Sequence, residues 1–432
     1  HAFCGTYVAV DTDMVNGASE IAVARQGTTT TLTMANDFQG DATEFAMLVP
    51  VPEILDEEDV HVVDPDVFMR LRGYSEPRQV TYTCEELYPE IPRDPIGCNF
   101  SDKDSSDSGS WADTAAIEDS GGVTVEKQFI VGEYEIVVLS AEESSGLLGW
   151  LNNNGYSVSP KAQGMLQEYL DAGSYFFAAK VFTDRIPAGQ DRLSPLQVSY
   201  ESEAFSLPIR LGTVNSPGSQ DLLLYVLTDP QAGRVGVSNY DEATVEADCL
   251  ADTDDLASFY DQAFTEAVGE QPRWVVEYGW ELNAWSLHCD PCTSVPGLPQ
   301  DDVATLGFGD YGGAGDTGWG GSGWSEYYFT RLRMRYTPEQ ATEDLSLYTS
   351  GIRENTQQRY IQYESYLEAE FPTCGQGFVD DPGSCADEGR EYRKRMREAD
   401  QPSSGCAMNG DAQGAMALML FAGLGVLLRR GR

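Results

Sequence analysis

The sequence predicts an α+β protein whose sheets are antiparallel and sandwich-like, with a helical pair inserted between them. Three observations predict it. Short β-branched and aromatic runs recur between turn signals through most of the chain. Two amphipathic stretches between about residues 140 and 173 carry the helical period instead. An apolar content of 41% over 432 residues is enough to bury a core and suggests more than one domain.

Residues 2–10, 21–25 and 28–34 read as strands, with Gln26-Gly27 marking a tight hairpin between the last two. A further strand over 43–49 should end at Pro50-Val51-Pro52, because proline cannot donate to a ladder. The acidic stretch 57–66 then leads to a second set of short segments, and 1–100 as a whole reads as a β-rich domain. Ser, Asp and Gly dominate 101–122, an acidic linker.

From Val123 the pattern mixes α and β, and 123–245 reads as an α+β domain. After strands around 129–139, Ser140-Ala141-Glu142-Glu143 has the form of a capping box, with Leu147, Leu148 and Leu151 on one helical face. This helix should stop at Asn152-Asn153-Asn154-Gly155. Ser159-Pro160 starts a second helix, and its stripe of Met165, Leu166, Tyr169 and Leu170 is read as core before Gly173 ends it. Strands follow over 175–181, 196–200, 206–211 and 222–227, and another over 274–278. Residues 246–375 read as a third β-rich region, 376–406 as a disordered or helical stalk, and 407–432 as a C-terminal hydrophobic helix.

Charge excludes one class of function. With 27 basic against 70 acidic residues the net charge is −43, and nucleic-acid binding needs cations to neutralise phosphate. Such a surface suits a saline or divalent-rich exterior. Calcium is the cation that clustered carboxylates would take, but Asp102-Lys103-Asp104-Ser105-Ser106-Asp107-Ser108-Gly109 lacks the glycine and glutamate spacing of an EF-hand. It reads as a solvated loop, and no cofactor or metal site is assigned.

Eight of the nine cysteines precede the tail, an even number that can pair in an oxidising compartment. Proximity favours Cys84 with Cys98, Cys289 with Cys292 and Cys374 with Cys385, leaving Cys4 and Cys249 for a long-range bridge. The chain starts at His1 without Met, the expectation after removal of a secretory signal.

The tail carries the strongest localisation signal. Gly405-Cys406 is followed by an apolar run of 15 residues, 414–428, containing Leu418, Leu420 and Phe421, and then by Arg429, Arg430 and Arg432. As a helix that run reaches only ~22 Å across a hydrocarbon core of roughly 30 Å, marginal for a permanent span. The order Gly-Cys, apolar helix, arginine cluster resembles the C-terminal sorting signal known as MYXO-CTERM. That resemblance implies processing or lipidation at Gly405-Cys406, with a sorting protease and the envelope membrane as partners. Arg390, Arg393, Lys394, Arg395 and Arg397 fall on several helical faces and read as a solvated stalk.

A second resemblance covers roughly residues 1–374. His1-Ala2-Phe3-Cys4-Gly5, the segment from Thr29 through Asp41 to Val49-Pro50-Val51-Pro52, Gly155-Tyr156, Leu207-Pro208-Ile209-Arg210, Cys289-Asp290-Pro291-Cys292 and Thr330-Arg331-Leu332-Arg333 resemble an uncharacterised secreted bacterial family, a domain of unknown function (number 2330). The resemblance implies no activity.

Four constellations bear on chemistry. Cys289-Asp290-Pro291-Cys292 has dithiol spacing, but Pro296 and Pro299 leave no room for the long helix that a thioredoxin-like site needs, so a structural disulfide is preferred. His1 could chelate copper only with His61 or His288 brought near it. Gly307-Phe308-Gly309-Asp310-Tyr311-Gly312 matches a dinucleotide fingerprint by letter, yet more glycines follow in place of a helix, so it reads as a flexible loop. Its aromatics, Tyr311, Trp319 and Trp324, would contact a surface protein or a glycan. Ser322 lacks the second glycine of a nucleophile elbow. With no catalytic set, the reading is an exported cell-surface or outer-membrane protein, binding or structural in role and not an enzyme. The alternatives are an envelope thiol-redox or metal-dependent enzyme using Cys289 and Cys292, and a factor released from the cell.

Overall fold

The computed structural model describes residues 5–9, 18–35, 45–82, 123–156, 158, 160–182, 185, 193–216, 218–245, 256–282, 298–309 and 327–363. The chain begins with β1 (Thr6–Ala9), β2 (Ala18–Gln26), β3 (Thr29–Ala35) and β4 (Phe45–Val51). A 3-10 turn at Glu57–Asp59 leads to β5 (Val60–Val62), helix α1 (Asp66–Ser75) and β6 (Arg78–Tyr82). β7 (Val123–Val131) and β8 (Tyr134–Ala141) precede the helical pair α2 (Ser144–Asn153) and α3 (Pro160–Asp171). β9 (Tyr175–Val181), β10 (Leu196–Glu201), β11 (Ser206–Leu207), β12 (Gln220–Thr228) and β13 (Val235–Val237) follow. The last described part holds α4 (Leu256–Val268), β14 (Trp274–Leu282), α5 (Gln300–Thr305), β15 (Tyr327–Tyr336), β16 (Leu345–Thr349), β17 (Thr356–Gln357) and β18 (Arg359–Tyr363).

The fold is α+β and mostly β. A five-stranded sheet has the order β1-β4-β9-β8-β7, and an eight-stranded sheet the order β17-β14-β15-β12-β2-β3-β10-β5. Among the described residues all strand pairs are antiparallel except β2 with β12 and β6 with β18. Period-two alternation explains how the sheets stack. Phe45, Met47, Val49, Ile136, Val138, Phe177 and Ala179 of the smaller sheet meet Ile21, Val23, Leu32, Met34, Leu222, Leu224, Leu332 and Met334 of the larger in one core. The intervening residues face outward and are covered by helices. Ala46, Leu48, Phe176 and Ala178 pack under Leu147 and Leu151 of α2 and Leu166 and Tyr169 of α3. On the far face of the larger sheet, Ala22, Ala24, Tyr225 and Phe329 pack under Val67, Phe68 and Leu71 of α1 and Val303 of α5. Tyr260, Phe264 and Val268 of α4 cover Val275. Four layers result, helix, sheet, sheet, helix. Each fully buried leucine or phenylalanine contributes about 1.5–3 kcal/mol.

Both helices of the predicted pair are present, with Leu147, Leu151 and Leu166 fully buried. The capping box is not. Ser140 lies in β8 and its hydroxyl donates to Glu126, while the first helical N–H, that of Ser144, is capped across the pair by Gln167 Oε1 at 2.9 Å. Proline does not end β4 where expected. Pro50 continues the strand in register with Phe176 on β9, and among the described residues β1 pairs with β4 no further than Leu48, so no described strand on that side asks the proline for an N–H. The 206–211 segment is strand only at Ser206–Leu207 and then turns into a 3-10 coil at Leu211–Asn215.

Two larger corrections concern helices. α1 lies inside the stretch read as β, and α4 and α5 lie inside the third region read as β-rich. The compositional boundaries are also not breaks in the sheets: the eight-stranded sheet takes β2, β3 and β5 from before the acidic linker and the rest from after it. Nor are Gly307, Phe308 and Gly309 a free loop. Gly307, at φ +83°, closes α5 with its N–H on Ala304 O at 2.9 Å, and Phe308 is buried.

Candidate functional site

β15 shows how a charged cleft arises from sequence. In Tyr327–Tyr336, every second residue faces the inner core, ending in Leu332, Met334 and Tyr336. The other face presents Tyr327 and Phe329 and then three cations in a row, Arg331, Arg333 and Arg335. The neighbouring strand sets Tyr225, Leu223 and Asp221 opposite them in register. Beyond it, Glu20 of β2 lies across from Leu223. On the other side, β14 carries a bulge between Val276 and Tyr278, which turns the extra residue, Glu277, toward Arg331. A strand face that is apolar at one end and charged at the other cannot be covered by a purely apolar helix. α1 and α4 straddle it instead, and between them lies a cleft of about 630 Å³.

The charges of the cleft are internally matched. Arg72 of α1 grips both oxygens of Glu20, at 2.8 and 2.7 Å. Arg331 sits 2.6 Å from Glu277, an ion pair without the alignment of a hydrogen bond, and both side chains are all but sealed from solvent. Tyr260 of α4 donates its hydroxyl to the other oxygen of Glu277. Arg333 is shared between Asp221 and Asp261 at 2.9 Å each, and Arg335 binds the same two carboxylates. Phe264 lies beneath both guanidinium groups, 4.1 Å from that of Arg333 and 5.3 Å from that of Arg335.

These contacts set the protonation states. Burial pushes the Asp221 carboxyl up, but the hydrogen bond from Arg335 and the charges of Arg333 and Arg335 outweigh it and hold it below the usual carboxylate range. Asp261 is held low in the same way against a smaller desolvation. Burial also lowers Arg331, yet the charge of Glu277 overcomes that and leaves it above its ordinary value. Tyr225 is raised, chiefly by burial, and stays a neutral phenol. The walls between these charges are apolar, supplied by Leu223, Leu256, Ala257 and Pro77. Arg72, Glu76 and Asp261 reach the rim, where both signs of charge meet water.

The residues singled out as sites by the sequence lie elsewhere. Gly405, Cys406 and the tail residues Leu418, Leu420, Phe421, Arg429, Arg430 and Arg432 fall outside the described residues, as does the stalk. So do Cys4, Cys84, Cys98, Cys249, Cys289, Cys292, Cys374 and Cys385, the acidic loop at Asp102, Ser322, His1 and His288. His61 is described and lies exposed on β5. Among the described residues no group of three His, Cys, Asp or Glu is arranged to hold a metal, and no helix is long and apolar enough to cross a membrane. Apart from Arg331 and Arg333, inside the motif Thr330-Arg331-Leu332-Arg333, no cleft residue stands out in the sequence. The available signal was three arginines at strand spacing in a chain otherwise poor in cations.

The fold and cleft define a layered α+β protein with a preformed, charge-matched pocket. A family model described as "Uncharacterized protein conserved in bacteria (DUF2330)" matches residues 1–348, and the chain belongs to that family. Every residue of the cleft lies within the matched part. No curated protein matches the chain. Among solved structures, the crystal structure of baculovirus P35 is similar at 11% identity over 80% of this chain and 96% of that one, with a TM-score of 0.26, too low to speak for a shared fold.

Proposed function

We propose that this protein is an exported component of the bacterial cell envelope that binds a small zwitterionic, peptide-like ligand in the cleft between α1 and α4. One observation carries the binding. Arg72, Arg331 and Arg333 are already paired with carboxylates above apolar walls. A simple anion entering there would strip a carboxylate from its arginine and leave it unpaired, which costs several kcal/mol in a buried site. A ligand bearing both signs can exchange with a pair at each end and leave no charge uncompensated. Its apolar part would lie against Leu223, Leu256 and Ala257.

The test is calorimetric titration with Gly-Leu, its N-acetylated form and its C-terminal amide. Gly-Leu should bind, and each blocked form should bind ~tenfold more weakly, the equivalent of about 1.4 kcal/mol per lost charge. Equal affinity for all three, or no heat from any, removes the zwitterion reading.

The tail supports the location. Gly405-Cys406, the apolar run and the terminal arginines are the parts a sorting protease and the envelope membrane would read. Intact mass of the protein taken from its own cells should show the segment after Cys406 removed. A retained tail would sink the sorting reading.

A further inference from the structure

The outer face of the five-stranded sheet is covered only in part by the helical pair. Leu147, Leu151 and Leu166 seal one end of it. At the other end, past the C-terminus of α2, a second cleft of about 350 Å³ opens over β7, β8 and β9. That is at the small end of the range for ligand clefts, about 300–1,000 Å³. Its character is opposite to that of the first. The floor is polar where the core would continue, because the alternation that puts Val137 and Ala178 on this face also puts Gln128, Glu135 and Lys180 there. Trp150 and Tyr156 stand at its side, set by the last turn of α2 and by Gly155 after it.

The polar groups of this floor retain unused capacity. Gln128 donates its amide to one oxygen of Glu135 at 2.8 Å, and among the described residues the Gln128 carbonyl and the second Glu135 oxygen accept no further hydrogen bond. Asn154 donates to the Trp150 carbonyl at 2.8 Å, and its own side-chain oxygen accepts nothing among the described residues. Lys180 lies opposite Glu135 in register, yet among the described residues it makes no ion pair, and its ammonium rests 5.4 Å from the Phe182 ring. Donors and acceptors are therefore interleaved on one small floor, with one ammonium and one carboxylate on adjacent strands and indole and phenol rings alongside. Hydroxyl groups that each donate and accept, carried on a ring with an apolar face, match that pattern.

We infer that this cleft is a carbohydrate site, for a neutral oligosaccharide of two or three rings whose hydroxyls meet Gln128, Glu135, Asn154 and Lys180 while a ring lies against Trp150. The cleft uses no residue of the charged cleft and does not depend on what that cleft binds. A neutral sugar fits better than an acidic one, because the floor carries one carboxylate for its one ammonium and offers an anion no net positive charge.

The test is calorimetric titration of the full chain with cellotriose, maltotriose and chitotriose, repeated on Glu135→Ala, Asn154→Ala and Trp150→Ala. Trp150 packs in part against the helical pair, so its variant is read only if its circular dichroism matches the wild type. Asn154 is exposed, so its variant keeps the test open if Trp150→Ala fails to fold. At least one of the three sugars should bind saturably, and Glu135→Ala and Asn154→Ala should each weaken it by ~tenfold or more. Binding that all the variants share with the wild type would place the sugar elsewhere and overturn the inference. Absence of saturable binding by all three sugars at millimolar concentration would overturn it too.

Discussion

Arg331 and Glu277 form an ion pair at 2.6 Å beneath the charged cleft, the arginine on a regular strand and the glutamate at the bulge of the strand beside it. The bulge and the pair explain each other. An extra residue in β14 would otherwise bury an unpaired carboxylate, and Arg331 would otherwise point its charge into Tyr225 and the underside of α1. Pairing does not imply net stability, because taking two ions out of water costs about as much as their attraction returns.

Removing one partner should be much worse than removing both. Glu277→Ala leaves a fully enclosed guanidinium and should destabilise the fold by about 3–5 kcal/mol in denaturant unfolding. The double variant Glu277→Leu with Arg331→Met should recover most of that loss. A single variant that costs less than about 1 kcal/mol would mean that water reaches the pair.

Acid should loosen α4 first. Asp221 and Asp261 are held below the unfolded carboxylate value of about 3.9, so their stabilising effect is fully present above that value and is lost as pH falls through their lower folded values. Protonation elsewhere relieves the self-repulsion of a chain with net charge −43 and acts in the other direction, so the comparison must be between variants. Asp221→Asn should be less stable than wild type at pH 7 and lose less between pH 5 and pH 3. Parallel stability curves for the two proteins would contradict the pairing.

Legibility followed periodicity and failed where helices carry strand-like residues. The sequence marks β9 at its observed bounds by a run of aromatic and apolar residues after Gly173, and the β2–β3 hairpin at its turn, where Gly27 supplies the positive φ. α3 was found from Pro160 and its stripe. α4 is hidden in the sequence although Tyr260, Phe264 and Val268 repeat every four residues, because aromatic and β-branched side chains weigh against a helix in local propensity. α1 escapes the pattern because its buried face, Val67, Phe68 and Leu71, is short and follows an acidic stretch. Without those two helices the charged face of β15 has no walls, and Arg72, Tyr260 and Asp261 have no place beside it, so the cleft cannot be seen as a site.

Gly307 should tolerate no side chain. A Cβ there would stand 2.6 Å from Cγ2 and Oγ1 of Thr31, a β-branched residue that is itself buried, and the backbone at φ +83° already disfavours L side chains. Gly307→Ala should cost about 1–2 kcal/mol from conformation alone, with the contact adding to it. Pairing it with Thr31→Ser should restore part of the loss by removing Cγ2. If the single variant unfolds at the wild-type denaturant midpoint, the close approach of α5 to β3 is wrong.

Phe264 should prove to hold the arginines as well as the core. It is fully buried, and both Arg333 and Arg335 lie over its ring. Phe264→Leu keeps most of the apolar volume but removes the ring face, so its stability cost should be modest, about 1–1.5 kcal/mol. The loss of the cation–π contacts should then show in the cleft more than in the core: Gly-Leu should bind more weakly to Phe264→Leu than to Val268→Ala, which thins the same apolar cluster and removes no ring from an arginine. Equal affinity in the two variants would mean that Asp221 and Asp261 alone position the guanidinium groups.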